Sequence, residues 1–400
     1  MKPIAAARTS GLGSPLMRTF QSALSQPGLV SFGLGFMNPA GFDVAGVRNA
    51  FAAALSDQLS PSTLQYGLAE GGERLRAAIV ERMAALGVPG ASEEIVVTTG
   101  ATQGLDLLCR ALLDPGDVVL VERPTYVTAL QQFSLAELRV VSVPGDEEGL
   151  DPVALEAAVL EHRPKAIYTI PTFQNPGGST MSAQRRAELV QIAERRDVWV
   201  IEDDPYRELR YGPEPPAPIA SHSRERVIYI GTLAKTVAPG LRVGWVLAPT
   251  EIISVCRPVK QSLDWHTSSI DQTAAAIYLE TVDWRRRTAE LRAVYGQAMR
   301  AMLDGLGDAL PDGSTWSSPA GGVFVWVRLP DGFSALGLLE RALDHGLFFM
   351  PGQPFLADVH SDTTLRLSMS NHDPDSIAEG LRRLAAAVSE VRAPATVVTR

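Results

Sequence analysis

Between residues 117 and 247 the chain alternates regularly between short apolar runs rich in β-branched residues and stretches of mostly helical period. The runs fall at 118–121, 140–143, 166–170, 198–201, 227–230 and 243–247. Short runs that are apolar throughout predict strands buried on both faces, and helical spacers between them predict parallel crossovers. The fold class that follows is α/β, a mostly parallel central sheet with helices on both faces. In such sheets ligands gather in the loops beyond the carboxyl ends of the strands. Polar residues stand there in this chain: Tyr126 after the run 118–121, Asn175 after 166–170 and Asp203 after 198–201.

The flanking segments extend this pattern. Helical periodicity covers 44–59 and 73–86, and 94–99 reads as a strand that meets Gly100 and then a helix with Leu105, Leu108, Ala111 and Leu112 on one face. Past residue 290 the character changes. A long helix over 283–306 is followed by predicted strands at 323–329, 347–351 and 364–368 and a helix at 375–391, which together predict a smaller α+β domain. The expected organisation is an N-terminal segment at 1–44, a large domain at 45–290 and a small C-terminal domain at 291–400.

Composition limits the function classes. Four hundred residues, 46% hydrophobic and 20% charged, suffice for a large core. A net charge of -9 argues against nucleic acid or an anionic membrane as partner, since both draw on a positive field. The two cysteines, Cys109 and Cys256, make no disulfide framework, and the six histidines show no ligand spacing, so no metal is expected. No run of about 18 apolar residues occurs, and the first fourteen residues lack the apolar core of a signal peptide. A cytoplasmic location is the expectation.

Chemistry concentrates around Lys235, which lies between the runs 227–230 and 243–247. Its neighbours are Thr236, Ala234, Leu233 and Val237, and an amine at the edge of a core has a lowered pKa and greater nucleophilicity. Arg242 offers a fork suited to phosphate. The helix opening at Ala101 presents free N–H groups beside Gly100 and Thr102, a second anion site. Arg366, inside the run 364–368, either faces water or receives an anion. Each feature also has a plain structural reading: a snorkelling lysine, a bare helix cap, a turn at Asn175 or a packing tyrosine at Tyr66. Their coincidence at strand ends suits pyridoxal 5'-phosphate. Lys235 would hold its aldehyde as a Schiff base, Asp203 would keep the ring nitrogen protonated, and Tyr126 would stack on the ring. Tyr206 and Asn175 would hydrogen-bond the ring hydroxyl.

The matching segments 31–43, Leu64-Gln65-Tyr66-Gly67, 98–108, 114–122, 171–178, 201–206, 231–243, Val259-Lys260-Gln261, His266-Thr267-Ser268-Ser269 and Leu365-Arg366-Leu367-Ser368 cover nearly the whole chain. With them the sequence resembles the fold-type I pyridoxal-phosphate aminotransferases of class I/II. It is similar to the group containing 2-aminoadipate and kynurenine aminotransferases and to the aminotransferase-like part of MocR regulators. The resemblance implies Lys235 as the Schiff-base lysine, Asp203 at the ring nitrogen, and Asn175 and Tyr206 at the ring hydroxyl. Gly100, Ala101, Thr102, Thr232 and Arg242 would form the phosphate cup, and Arg366 would clamp the substrate α-carboxylate. Tyr66 would reach the phosphate of a neighbouring subunit, which implies a homodimer with shared active sites. Arg18 and Gly35 fall in a mobile segment over the substrate.

The expected reaction moves an amino group between an L-amino acid and a 2-oxo acid. Three departures from the family pattern keep a second enzymatic reading open: Ala234 beside the lysine, Gly177 after Asn175-Pro176, and the loop Gly33-Leu34-Gly35-Phe36-Met37. That reading is β- or γ-carbon elimination, replacement or cyclisation, for example on an S-adenosylmethionine-like or arginine-like substrate. A ligand-sensing regulator is disfavoured, because the first forty residues hold no room for a helix-turn-helix domain and Lys235 is present.

Overall fold

The structure is a computed structural model that describes residues 6–9 and 28–391. Arg18 lies outside the described residues.

The apolar runs form one seven-stranded sheet. Its strands are β1 (Ile95–Thr98), β2 (Val118–Glu122), β3 (Arg139–Val143), β4 (Ala166–Thr169), β5 (Trp199–Asp203), β6 (Val227–Thr232) and β7 (Gly244–Leu247), in the order β1-β7-β6-β5-β4-β2-β3. The five strands from β6 to β3 pair in parallel. Strand β7 runs antiparallel to both β6 and β1, so the sheet is mostly parallel, as expected. Alternate residues of β2 enter different cores: Val119 and Val121 pack with Leu105, Ala129 and Phe133, while Val118 and Leu120 pack with Leu155, Leu189 and Ile192. A period of two in strands buried on both faces divides the side chains between two helical layers. The crossovers have clear starts. Asp151 accepts the N–H groups of Val153 and Ala154 at the helix Pro152–His162, and Ser182 accepts that of Arg185 at Ala183–Arg196.

A long helix, Trp284–Ala309, packs against the helix Pro374–Glu390 and leads to an antiparallel sheet of β8 (Thr315–Trp316), β9 (Phe324–Arg328), β10 (Met350–Pro351) and β11 (Thr364–Ser368), ordered β8-β9-β11-β10. The strand predicted at 347–351 divides in two. Leu347–Phe348 pairs in parallel with Val30–Ser31, and only Met350–Pro351 joins β11, because the chain passes from one sheet to another at Phe349. The helix predicted over 44–59 likewise stops at Ala54, and a short turn of helix follows at Ser60–Thr63. The residue after the N-terminal strand is held on two sides: Phe32 N–H donates to Phe348 O at 2.8 Å, and Phe32 O accepts from Ser368 N–H on β11 at 2.7 Å. These bonds carry the loop 33–37 over the ends of the parallel strands.

Candidate active site

A cavity of about 370 Å³ opens at the carboxyl ends of β4, β5 and β6. Its walls include Gly35, Ala101, Thr102, Tyr126, Asn175, Asp203, Tyr206, Thr232, Lys235, Arg242 and Arg366. Eleven positions singled out from the sequence thus converge, from loops as far apart as 35 and 366. Gly100 stands directly behind them as the cap of the helix Ala101–Leu112. Tyr66 does not line the cavity. It is 80% exposed and packs on Trp265 and His266, with both ring centroids at 6.1 Å.

Lys235 follows β6, in a turn stitched by the Thr232 hydroxyl, which accepts the Ala234 N–H at 3.1 Å and donates to Val243 O at 3.2 Å. Its Nζ donates to Gly35 O at 3.0 Å and lies 5.8 Å from the Tyr206 ring centroid. Desolvation pulls the amine down to about 8, the positive charges of Arg366 and Arg242 push the same way, and Asp203 opposes them. A fraction of the lysine is therefore neutral and nucleophilic near neutral pH.

Asp203 ends β5. One oxygen, Oδ2, accepts the Tyr168 hydroxyl at 2.8 Å, and the other, Oδ1, is buried and finds no hydrogen-bond partner among the described residues. Burial pushes its pKa up to about 7, against the pull of the Tyr168 hydrogen bond; the nearby Asp204 pushes further and Lys235 pulls back. A buried carboxylate oxygen with no partner, one wall away from an amine, is an acceptor for a protonated ring nitrogen.

The anion site is built from backbone. Gly100 caps its helix at φ 80°, a left-handed value that glycine adopts without strain. A Cβ there would stand 2.5 Å from Arg242 Nη2, so the absence of a side chain lets the guanidinium lie against the helix start, where Nη2 donates to Thr99 O at 3.2 Å. Gly244 on β7 serves the same packing: a Cβ would stand 2.6 Å from Gly100 C and 2.7 Å from Ala101 N.

Arg366 is buried, against the option that its strand turns it to water. It sits on β11, which is flanked on both sides by β9 and β10, so its neighbours are protein. Nη1 donates to Asn175 Oδ1 at 2.8 Å and Nη2 to Gly33 O at 2.6 Å. Its Cζ lies 4.0 Å from the Phe324 ring centroid and 4.7 Å from that of Phe355. Burial lowers the guanidinium to about 10, still charged at neutral pH.

Sequence reasoning missed Tyr168, Gly33 O, Phe324, Phe355 and Gly244. One signal was available for Tyr168, since a phenol in the middle of a strand buried on both faces requires a partner for its hydroxyl.

The donor set fits pyridoxal phosphate on this structure's own terms. An amine, a buried unpaired carboxylate oxygen and a glycine-shaped anion site share one cavity. Residues 33–384 match the family model described as aminotransferase class I and II. The chain belongs to this family. Its fold is that of the fold-type I enzymes, and the aminotransferase depends on pyridoxal phosphate. It is 36% identical to the aromatic-amino-acid aminotransferase 1 of Thermococcus litoralis over 95% of this chain and 93% of that one. It is 37% identical to the 2-aminoadipate transaminase of Thermus thermophilus over 97% and 98% respectively. Among solved structures, the aminotransferase aligns with Pyrococcus horikoshii kynurenine aminotransferase, solved in complex with PMP, at a TM-score of 0.91 and 35% identity, covering 97% of both chains.

Proposed function

We propose that this aminotransferase acts on an L-amino acid donor and a 2-oxo acid acceptor with the residue roles that follow. The observation that carries the assignment is the convergence of Lys235, Asp203, Arg242 and Arg366 on one cavity. Arg242, Gly100, Ala101, Thr102 and Thr232 hold the cofactor phosphate, Tyr126 stacks on the ring, and Asn175 and Tyr206 address its hydroxyl. When bound, pyridoxal phosphate supplies an electron sink for the substrate α-carbon. Arg366 holds the α-carboxylate by a two-pronged contact, with Asn175 and Gly33 O fixing the plane of the guanidinium. Lys235 then takes the α-proton and returns it, and its lowered pKa suits both directions.

The cations among the described lining residues are Lys235, Arg242 and Arg366, and each has a role above. The remaining wall carries Leu34, Phe36, Val127 and Met350 beside the neutral polar Thr128, Gln131 and Gln132, and adds no further charge among the described residues, which favours a donor with an uncharged apolar or aromatic side chain. Tyr66 is exposed and does not line its own cavity, which leaves it free to serve a second subunit and supports a homodimer with shared sites. We further propose a large cofactor domain at 45–290 and a small domain at 291–400 joined by the segment 1–44. No helix among the described residues is long and apolar enough to cross a membrane, and a cytoplasmic location is part of this reading.

The test is to add single amino acids to the purified yellow protein and to assay for the matching 2-oxo acid. Loss of the yellow band with release of a 2-oxo acid from aromatic or large apolar donors supports the proposal. A lasting long-wavelength band without 2-oxo acid would assign the protein to β- or γ-carbon chemistry instead. Conversion by dicarboxylic donors alone would overturn the side-chain assignment.

A further inference from the structure

The Val259-Lys260-Gln261 and His266-Thr267 segments lie outside the cavity wall, yet they flank a charge pair aimed at its phosphate end. Lys260 is fully buried on the helix Thr250–Asp264 and donates to both oxygens of Asp264, at 2.7 and 2.8 Å. Asp264 Oδ2 also accepts from Gln103 Nε2 at 2.5 Å, and Gln103 Oε1 accepts the Thr99 N–H at 2.6 Å. Thr99 is held a second time through its hydroxyl, 3.3 Å from that of Thr267 and 3.4 Å from Asp264 Oδ2. The carbonyl of Thr99 accepts from Arg242. A continuous set of polar contacts therefore runs from Lys260 through Asp264 and Gln103 to the turn before Gly100 and to Arg242.

The position of Asp264 poses an electrostatic problem. A carboxylate beside a helix N-terminus is favoured by the helix dipole, but a phosphate arriving at the same N-terminus meets a like charge. Lys260 answers it. Among the described residues its ammonium is buried against Asp264 and pairs with no other carboxylate, so the pair brings no net charge to the cup while Asp264 keeps its grip on Gln103. We infer that Lys260 and Asp264 are positioning residues for the phosphate cup: Asp264 fixes the turn at 99–100 through Gln103, and Lys260 cancels the charge that would otherwise repel the phosphate. This rests on the reading of Gly100, Ala101, Thr102 and Arg242 as the cup.

The inference separates the phosphate from the ring. Cofactor-free protein is titrated with pyridoxal phosphate and with pyridoxal, which lacks the phosphate, and binding is followed by the visible absorbance of the lysine-bound chromophore. Lys260→Met should weaken pyridoxal phosphate roughly tenfold by uncovering the Asp264 charge, and leave pyridoxal unchanged. Lys260→Met with Asp264→Asn should regain most of that loss, since the repelling charge is gone and an amide can still meet Gln103. Should Lys260→Met fail to fold, Asp264→Asn alone serves: it should bind pyridoxal phosphate several-fold more tightly than the wild type and leave pyridoxal unchanged, since the Lys260 charge is then unopposed. Equal losses for both ligands, or an unchanged ratio of the two affinities, would overturn the inference and leave the pair a packing element. Arg242→Met is measured in parallel. If it keeps the wild-type ratio, the cup itself is misassigned; if it lowers the ratio and Lys260→Met does not, only the inference about Lys260 falls.

Discussion

The Tyr168 hydroxyl donates a 2.8 Å hydrogen bond to Asp203 Oδ2 beneath the cavity floor, on neighbouring parallel strands. Both residues are buried, and this bond is the main local force that keeps Asp203 ionised against desolvation. Tyr168→Phe removes it without changing the ring. A carboxyl with a folded pKa raised to about 7 weakens the fold progressively as pH climbs from its unfolded value through 7, where the buried anion forms. Without the phenol that penalty grows. In cofactor-free protein the deficit of Tyr168→Phe relative to wild type should increase from pH 5 to pH 8 and reach about 1.5–3 kcal/mol. Thermal melts across that range check it, and a deficit constant with pH would contradict it.

Lys235, lowered to about 8, should govern how fast cofactor-free protein captures pyridoxal phosphate. The neutral amine is the attacking form, so the capture rate should rise with pH and level off above a midpoint near 8. Arg366 is the larger of the two positive neighbours that depress this amine, so Arg366→Ala should move the midpoint upward. Asp203→Asn should move it downward, because a supporting negative charge is lost. Stopped-flow absorbance against pH reads all three.

Removing the Arg366 side chain should spare cofactor binding and damage substrate use. Truncating a buried, hydrogen-bonded charge costs about 2–5 kcal/mol, so kcat/KM for amino acids should fall at least thirtyfold in Arg366→Ala. Lysine at this position restores the charge without the fork and should recover only part of the loss. Steady-state kinetics beside an unchanged visible spectrum make the check.

Gly244→Ala would place a methyl group against the backbone of Gly100 and Ala101. Because a strand and a helix start must part to admit it, a stability loss of about 1–3 kcal/mol is expected, with weaker cofactor retention. The comparison is with Gly240→Ala, where a Cβ meets open space. Equal melting temperatures for the two variants would refute the packing argument.

Subunit mixing addresses Tyr66. If its hydroxyl serves the neighbouring site, Tyr66→Ala and Lys235→Ala subunits should complement each other. A mixed dimer then holds one site with an intact lysine and an intact tyrosine. Activity in the mixture above the sum of the separate variants is the expected result, and its absence places Tyr66 outside the reaction.

Much of this was legible in the chain itself. Runs of β-branched residues specify buried strands wherever they occur, so the sheet strands and their class followed from local pattern. Strand ends then pointed to Asn175 and Asp203, and Lys235 stood out because its neighbours are apolar. The resemblance supplied the roles. Local pattern failed where two sheets compete for one segment. The apolar run at 347–351 reads as continuous, and only the positions of Val30–Ser31 and β11 decide that it divides at Phe349.

What the sequence by itself determined, then, was the kind of element and the kinds of group at its ends, because strand and helix periods and side-chain chemistry are properties of neighbours along the chain. Only the tertiary structure decided the state of those groups. Arg366 could have faced water; its burial between Phe324, Phe355, Asn175 and Gly33 depends on strands and loops up to 333 residues away. The same holds for the lowered amine of Lys235 and the raised carboxyl of Asp203. A pKa and a hydrogen-bond partner are set by what lies within a few ångströms in space, and folding alone brings residues 35, 168, 203, 235 and 366 within that range.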